Sequence, residues 1–151
     1  QRIPNCATIV KLSHMDISIV KGKVKLKGKQ ASCEVNADVV ITRPDGSTFE
    51  ISGHGEYEAG GITVVSTNHG YVIEIENLRV CILDVKDVNK LESSEIDELG
   101  SIDITVCDNL DLAKQTDPWV IITTGAEGAP KYSVSKDKLP SDLTIVVLTS
   151  K

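Results

Sequence analysis

The chain has 151 residues, a formal net charge of −6 and a sequence pI near 5.0, a size that predicts a single domain over residues 1–151 with its own core. This acidic balance argues against nonspecific nucleic-acid binding, which needs a basic surface, and one Trp, three Tyr and one Phe are too few for a base-stacking platform. No apolar run approaches the roughly 20 residues that span a bilayer, so we expect no membrane partner.

Cysteine usage and the start of the chain bear on its compartment. Cys6, Cys33, Cys81 and Cys107 are widely spaced with no C-x-x-C pair, which argues against a zinc knuckle. Cys81 and Cys107 lie within apolar runs, where a small buried thiol is expected. Gln1–Asn5 lacks the plan of a signal peptide, although a leader or tag removed before it stays open. We expect a reducing, cytoplasmic setting.

The first part of the chain predicts three strands. Ala7–Leu12 and Ile17–Val20 are apolar runs, and Ser13–Asp16 between them is expected to form a tight connection. Lys21–Lys29 carries Lys at every second position, which predicts a half-buried strand with a lysine-coated outer face. Because lysines protect sheet edges from pairing with other chains, we expect an edge strand here, with a basic binding patch as the alternative.

A strand, a turn and a second strand follow. Asp38–Thr42 has the β-branched run of a buried strand. Arg43–Gly46 reads Arg-Pro-Asp-Gly, in which Pro fixes one backbone angle and Gly accepts a positive φ, so it predicts a turn. Ser47–Ile51 leaves this turn as the next strand.

The stretch Ser52–Gly61 is the most unusual in the chain, because four of its ten residues are glycine. It is either a hairpin connection with a bulge or a functional loop. Glu56 and Glu58 are a candidate acid/base pair, but strand alternation would place both on one solvated side with Tyr57 opposite.

Helical signals are few. Glu92–Leu99 predicts a helix capped by Ser93 or Ser94 and ended by Gly100, with the core-facing residues Leu91, Ile96 and Leu99. Short helical segments are expected over Leu110–Thr116 and Ser135–Leu139, and a loop over Gly125–Pro130. Further strands are predicted at Ile62–Ser66, Tyr71–Glu76, Leu78–Leu83, Ile102–Cys107, Trp119–Thr124, Tyr132–Val134 and Thr144–Thr149.

These elements predict a β-rich α+β fold, most simply a sandwich of two sheets with few short helices. The most apolar runs should lie inside the sheets rather than at their edges. These are Asp38–Thr42, Leu78–Leu83, Ile102–Cys107 and Trp119–Thr124.

Six segments in order resemble the metallo-β-lactamase-fold hydrolases, specifically their small zinc-dependent, ascorbate-6-phosphate-lactonase-like branch. The family's Gly-Pro-Gly-Glu-Tyr-Glu loop, for example, is similar to Gly53–Glu58, which reads Gly-His-Gly-Glu-Tyr-Glu. The resemblance implies a truncated two-sheet sandwich. The other matching segments are Leu12–Ile19, Ala37–Thr42, Tyr71–Val80, Ser94–Val106 and Pro118–Ile122.

The family's activity needs His-x-His-x-Asp-His directly after the Ala-Asp-Val-Val strand, where two divalent ions activate water. Arg43–Gly46 stands there instead, and a permanently charged Arg43 would repel a cation. The resemblance also implies that the family helices after this motif are deleted. Leu83–Val88 lacks the next family histidine, and Thr123–Gly125 follows the strand that should precede the last one.

The resemblance therefore implies an inactive domain that serves as a structural or protein-interaction module, self-associating as a homo-oligomer, most simply a dimer, with another protein as a possible partner. It implies no catalytic residue and no cofactor. Exposed apolar surface left by the missing helices is the physical reason for expecting a partner.

Two alternatives remain open. A metal-dependent hydrolase that uses Zn or Mn would need a rearranged site made from His14, Asp45, His54 and Asp84. A sensor of a small ligand or an anion would use Arg43 in the pocket where the family holds its metal ions. His69 is the remaining histidine, and Asn68–Gly70 around it is typical of a turn.

Overall fold

The structure, a computed structural model, describes residues 14–84 and 88–150. Ala7–Leu12 and Cys6 therefore lie outside the described residues. In chain order the elements are β1 (Met15–Val20), β2 (Lys23–Lys27), β3 (Ser32–Val35), β4 (Val39–Thr42), β5 (Thr48–Ile51), β6 (Glu56–Ala59), β7 (Ile62–Thr67), β8 (Gly70–Ile75), β9 (Leu78–Leu83), α1 (Ser93–Leu99), β10 (Ile104–Val106), α2 (Leu110–Gln115), β11 (Val120–Ala129), β12 (Tyr132–Val134), a 3₁₀ turn (Lys136–Lys138) and β13 (Thr144–Leu148).

The strands form two sheets, as the sequence predicts for a β-rich α+β chain. The six-stranded sheet has the order β12-β1-β2-β3-β4-β5, and the seven-stranded sheet has the order β13-β11-β10-β9-β8-β7-β6. One hydrophobic cluster contains buried residues from both sheets, so their inner faces pack against each other. None of the helices in the described part of the chain has the length and apolar character that a membrane crossing requires.

The six-stranded sheet is antiparallel and has one apolar face. Ile17, Leu26, Cys33 and Ile41 lie in one row across four neighbouring strands, and all four are buried. Polar residues such as Asp16 alternate with them and point to the opposite face. The outer face of this sheet is therefore solvated and needs no covering helix.

The lysine-rich segment corrects one prediction. Lys23–Lys27 does alternate between exposed lysines and the buried residues Val24 and Leu26. It is not an edge strand, however, because β2 pairs with both β1 and β3. Period-two lysines report a solvated face of the sheet, and they carry no information on how many neighbours the strand has.

The seven-stranded sheet changes its pairing at β9. Strands β6 to β9 pair antiparallel, whereas β10 pairs parallel with β9 and β11, and β13 pairs parallel with β11. β9 is buried on both faces: Leu78, Val80 and Ile82 join the cluster between the sheets, and Cys81 and Leu83 join a second cluster on the outer face. The four runs expected inside the sheets all correspond to interior strands.

Both helices cover this outer face. Leu99 at the end of α1 and Leu112 in α2 belong to the second cluster, together with Ile121 of β11. The hydroxyl of Thr116, which follows α2, lies 2.5 Å from that of Thr105 in β10. The main-chain N–H of Leu91 donates to Gln115 Oε1 at 2.7 Å, which links the segment before α1 to α2.

Several local predictions are confirmed in position and corrected in detail. Helix α1 ends at Gly100 as expected, but its N-cap is Glu92, whose side chain forms a capping box with Glu95, and neither predicted serine is the cap. Met15 and Asp16 belong to β1 rather than to a connection. β3 was not predicted, because the strand is only four residues long and two of them, Ser32 and Glu34, are polar.

Two loop predictions also change. Within Gly125–Pro130, the residues up to Ala129 continue β11, with a register irregularity between Thr124 and Ala129. Ser52–Gly61 is not a plain hairpin connection. Ser52–Gly55 crosses from one sheet to the other, and β6 follows it.

A buried carboxylate holds the amino ends of the parallel strands together. Asp103 is 6% exposed and lies just before β10. Its Oδ2 accepts the main-chain N–H of Arg79 in β9 at 2.9 Å, and both of its oxygens accept from Lys136 Nζ, at 2.8 and 2.9 Å. Its main-chain carbonyl accepts from the N–H groups of Trp119 and Val120. Asp103 therefore connects three strands with the 3₁₀ turn that leads to β13.

Replacing this carboxylate should destabilise the fold. Asp103→Ala leaves the Arg79 N–H and the Lys136 ammonium without their partner, and we expect a loss of about 2 kcal/mol in the free energy of unfolding, because Lys136 is partly exposed and can be rehydrated. Urea denaturation measures the loss. Asp142→Ala, at an exposed position, is the control and should change stability by less than about 0.5 kcal/mol. Equal effects of the two substitutions would contradict the assigned role of Asp103.

Candidate functional site

Two adjoining clefts open at the carboxyl ends of the parallel strands. Their volumes are about 350 and 400 Å³. Val35, Asn36, Ile82 and Asp84 line both, so we treat the two as one candidate cleft. A crevice at this end of parallel strands is the usual place for a ligand in sheets of this kind.

Strand register determines which polar groups meet at the candidate cleft. Asp84 directly follows β9, and Asp108 follows β10 after one intervening residue. Val106 at the end of β10 lies opposite Ile122 of β11, so Thr124 projects near the same edge. The walls beneath these groups are apolar and come from the inner faces of both sheets. The cleft thus has an apolar interior and an acidic rim.

Asp108 is the most firmly held group on this rim. Its Oδ1 accepts three hydrogen bonds, each 2.9 Å long: from the hydroxyl of Thr123, the hydroxyl of Thr124 and the main-chain N–H of Thr124. Partial burial raises the pKa of this carboxyl, but the bonds from Thr124 and Thr123 outweigh it and leave the pKa below its usual value. The carboxylate therefore stays charged at the cleft and ties the segment after β10 to Thr123 and Thr124 of β11.

Asp84 and His54 are the two predicted candidates that do reach the cleft. Asp84 is exposed and lines both parts, and its main-chain N–H donates to the His69 carbonyl at 2.7 Å. His54 lines the part next to the β7–β8 turn. Its main-chain carbonyl accepts from the hydroxyl of Tyr57 at 3.1 Å, which ties the glycine-rich crossing to β6.

The other two candidates lie outside the cleft. His14 is exposed beside Asp16, with 3.9 Å between His14 Nε2 and Asp16 Oδ1. Asp45 shapes the β4–β5 turn, where its Oδ1 accepts from the N–H and hydroxyl of Ser47 at 2.9 and 2.6 Å. Those bonds lower the pKa of Asp45. The four residues of the rearranged metal site are thus not brought together.

Arg43, the binding group of the sensor hypothesis, lies in the β4–β5 turn. Its guanidinium donates to Ser47 Oγ at 3.2 Å and lies over the ring of Phe49, 5.6 Å from the centroid. Arg43 lines neither part of the candidate cleft. An acidic rim without this guanidinium is a poor receptor for anions.

A second polar cluster joins the β7–β8 turn to α1, and two of its members, Asn68 and His69, line the first part of the cleft. His69 Nε2 is 2.8 Å from Glu95 Oε2, and the same oxygen accepts from Asn68 Nδ2 at 3.1 Å. The hydrogen bonds from the Glu92 N–H and from Asn68, together with the charge of His69, lower the pKa of Glu95. Its oxygens are occupied by structural contacts, which makes this cluster a helix anchor.

The thiols in the described chain are poor nucleophiles. Cys33 and Cys81 are buried, and burial raises the pKa of each to about 12. Cys107 lines the cleft, but burial raises its pKa as well, and its thiol lies 3.5 Å from the Asn109 carbonyl. The small buried thiols expected at Cys81 and Cys107 are confirmed.

The Glu56 and Glu58 pair follows the strand alternation predicted for it. Both side chains are exposed and Tyr57 is half-buried. The carboxylate of Glu58 accepts the N–H of Gly61 at 3.1 Å, so it caps the turn between β6 and β7. Neither glutamate lines the candidate cleft, so the cleft offers no support for an acid/base pair here.

Sequence reasoning missed the polar groups that do meet at the cleft. Asp108 had no motif around it, and the only available signal was its place one residue after an apolar strand. Among the residues that the structure describes, no three His, Cys, Asp or Glu side chains are grouped closely enough to hold a metal ion. Comparisons of the chain with protein-family models, curated proteins and solved structures gave no match.

The hydrogen bonds to Asp108 predict a specific pH dependence. The pKa of Asp108 is lower in the folded state than in the unfolded state. Its contribution to the free energy of unfolding is therefore complete above about pH 4 and is lost as pH falls through the folded-state pKa. Asp108→Ala should lower the unfolding free energy by about 1 kcal/mol at neutral pH and flatten its decline below about pH 4. Thermal melts across this range test it, with Asp142→Ala as control. An unchanged pH profile for Asp108→Ala would be the contrary result.

Proposed function

We propose that this chain is a catalytically inactive, metallo-β-lactamase-like domain that acts as a structural, self-associating module. The observation that carries the proposal is the connection after β4. Arg43–Gly46 passes directly into β5 as a tight turn, with the Gly46 N–H donating to the Arg43 carbonyl at 2.9 Å and a φ of 88° at Gly46. The family that the sequence resembles carries its histidine ligands and further helices at this point.

Side-chain contacts in the turn support the same conclusion. Asp45, which is one possible match to the family's ligand aspartate, accepts hydrogen bonds from the N–H and hydroxyl of Ser47. Arg43 is held against Phe49. A tight turn closed by these bonds has no freedom to present ligands at the cleft, and no imidazole lies in it.

The cleft retains carboxylates without the partners that hydrolysis needs. Asp84 and Asp108 line its rim, and the histidines His54 and His69 line the part next to the β7–β8 turn. His69 is already paired with Glu95, its Nε2 lying 2.8 Å from Glu95 Oε2. Zinc and manganese sites that activate water rely on several imidazole and carboxylate ligands fixed by further hydrogen bonds. Oδ1 of Asp108 instead accepts hydrogen bonds from the hydroxyls of two threonines. A role in shape and association fits these residues better than a role in hydrolysis.

Metal content and hydrolysis test the proposal together. We expect no stoichiometric zinc, iron or manganese in protein purified without chelator, as measured by elemental analysis. We also expect no hydrolysis of a nitrophenyl ester, a lactone or a phosphodiester above background when Zn²⁺ or Mn²⁺ is added.

Three variants decide the meaning of any metal that is found. Near one ion per chain, lost in His54→Ala or Asp84→Ala together with hydrolysis, would overturn the proposal in favour of the rearranged hydrolase. Loss in His14→Ala alone, without any activity, would indicate surface binding at an exposed histidine and leave the proposal standing, because His14 lies outside the cleft.

A further inference from the structure

The candidate cleft opens where the inner faces of the two sheets part. Its second part, with a volume of about 400 Å³, has a floor of apolar side chains from both sheets. Val24 and Ile82, each 8% exposed, are the most exposed members of the hydrophobic cluster that the described residues form between the sheets. An apolar ligand in the cleft would remove this surface from water. The residues of the apolar floor are Ile19, Val24, Val35, Ile82, Val106 and Ile122.

Strand register places two carboxylates at the rim of the apolar floor. Ile82 and Val106 are partners in the β9–β10 ladder, and both belong to the cluster between the sheets. Because side chains alternate along a strand, the residues two positions later, Asp84 and Asp108, belong to the same face. Both line the second part of the cleft. Adjacent strands lie about 4.8 Å apart, so the two carboxylates follow neighbouring positions at one sheet edge.

The two carboxylates have no cationic partner in the described chain. Asp108 Oδ1 accepts three hydrogen bonds, but no described residue donates to its Oδ2 or to the side chain of Asp84. Asp38 adds a third acid to the lining of the first part, and neither part is lined by a described Lys or Arg. Like charges at neighbouring positions repel each other, and a cation between them removes the repulsion. The charge of the cleft therefore favours a positively charged ligand.

The apolar floor decides between a metal ion and an organic cation. A hard metal ion keeps a full shell of oxygen ligands or water, and it would leave the apolar floor uncovered. The described residues also hold no group of three His, Cys, Asp or Glu side chains that could bind one. An amine with a hydrocarbon body matches both features, because its ammonium group donates to carboxylates and its body covers apolar surface.

We propose that the candidate cleft binds a small organic cation, an amine whose ammonium group lies between Asp84 and Asp108 and whose body covers the apolar floor. This inference goes beyond the proposed function and depends neither on self-association nor on the absence of hydrolysis. Because Asp84 is exposed, water and salt weaken its interaction with the ammonium group. We expect a dissociation constant on the order of 0.1 mM for an amine of about nine non-hydrogen atoms.

Titration of the ¹⁵N-labelled chain with phenethylamine, followed by amide chemical shifts, measures affinity and location together. We expect saturable shifts at the main-chain amides of Asp84, Asp108 and Thr124. Phenethyl alcohol has the same body without the charge, and phenylacetate carries the opposite charge, so each should bind at least about tenfold more weakly. Methylammonium, a cation without the apolar body, should also bind at least about tenfold more weakly.

Substitutions of single carboxylates test the position of the ammonium group. Asp84→Asn and Asp108→Asn keep the size of each side chain and one oxygen acceptor. Each should weaken the binding of phenethylamine by about fivefold to tenfold and leave the binding of phenethyl alcohol unchanged. Asp38→Asn, in the first part of the cleft, should change the affinity by less than about twofold. Asp142→Asn is the matched control, because Asp142 is exposed and lines neither part. Unchanged dispersion of the amide spectrum verifies that each variant is folded.

Three results would overturn the cleft proposal. The first is equal binding of the alcohol and the amine, or an affinity that neither Asp84→Asn nor Asp108→Asn changes, because the apolar floor alone would then explain binding. The second is the absence of saturable shifts up to about 10 mM phenethylamine. The third is tighter binding of Mg²⁺, Ca²⁺ or Zn²⁺ than of phenethylamine at the same amides, which would make the cleft a metal site.

Light scattering distinguishes this proposal from the proposed function. A mass near 16.3 kDa at micromolar concentration would overturn self-association, and the amine titration would still decide the cleft proposal. An oligomer that binds no amine would overturn the cleft proposal alone. Metal-dependent hydrolysis by a chain that binds the amine would refute only the proposed function.

Discussion

The fold depends on the need to bury strands β9, β10 and β11 on both faces. Ile82 and Cys81 of β9 already point to opposite sides of the sheet, and both are buried. Interior strands of this kind require a layer on each side. The six-stranded sheet supplies one layer, and α1 with α2 supplies the other. The six-stranded sheet needs cover on its inner face alone, which is why the short helices α1 and α2 suffice to complete the core of the described residues.

The same constraint positions the candidate cleft and the carboxylate at the opposite end. Parallel pairing brings all amino ends of β9, β10 and β11 to one edge, where Asp103 binds main-chain and ammonium groups. It brings the carboxyl ends to the other edge, where Asp84 and Asp108 follow the apolar residues. The two ends differ in what surrounds the acids. Asp103 is buried and paired with Lys136, whereas Asp84 is exposed on the rim.

Sequence patterns predicted what depends on local periodicity. Most strands, both helices and the β4–β5 turn were found in this way, because burial alternates with a period of two in Lys23–Lys27 and the turn chemistry of Arg43–Gly46 is strong. Periodicity does not show which strands are neighbours in a sheet. For this reason β2 was wrongly assigned to a sheet edge. The site was hardest to predict, since Asp108 and Thr124 meet through parallel pairing and His69 meets Glu95 across a helix anchor. Those contacts depend on how the strands pair and how the helix packs on the sheet, and the local sequence around each residue does not indicate either.

The exposed apolar residues at β13, Ile145 and Val147, are more informative than the absence of a histidine motif at Arg43–Gly46. The absence of such a motif implies no role by itself. Exposed apolar residues on an uncharged edge carry a cost, because such an edge can pair with any extended chain. Glu50, Glu56 and Glu58 show that this chain uses charge at other edges. Part of the β13 edge is covered within the chain itself, because Ala129 lies opposite Leu148 and its carbonyl accepts the Thr149 N–H at 2.9 Å.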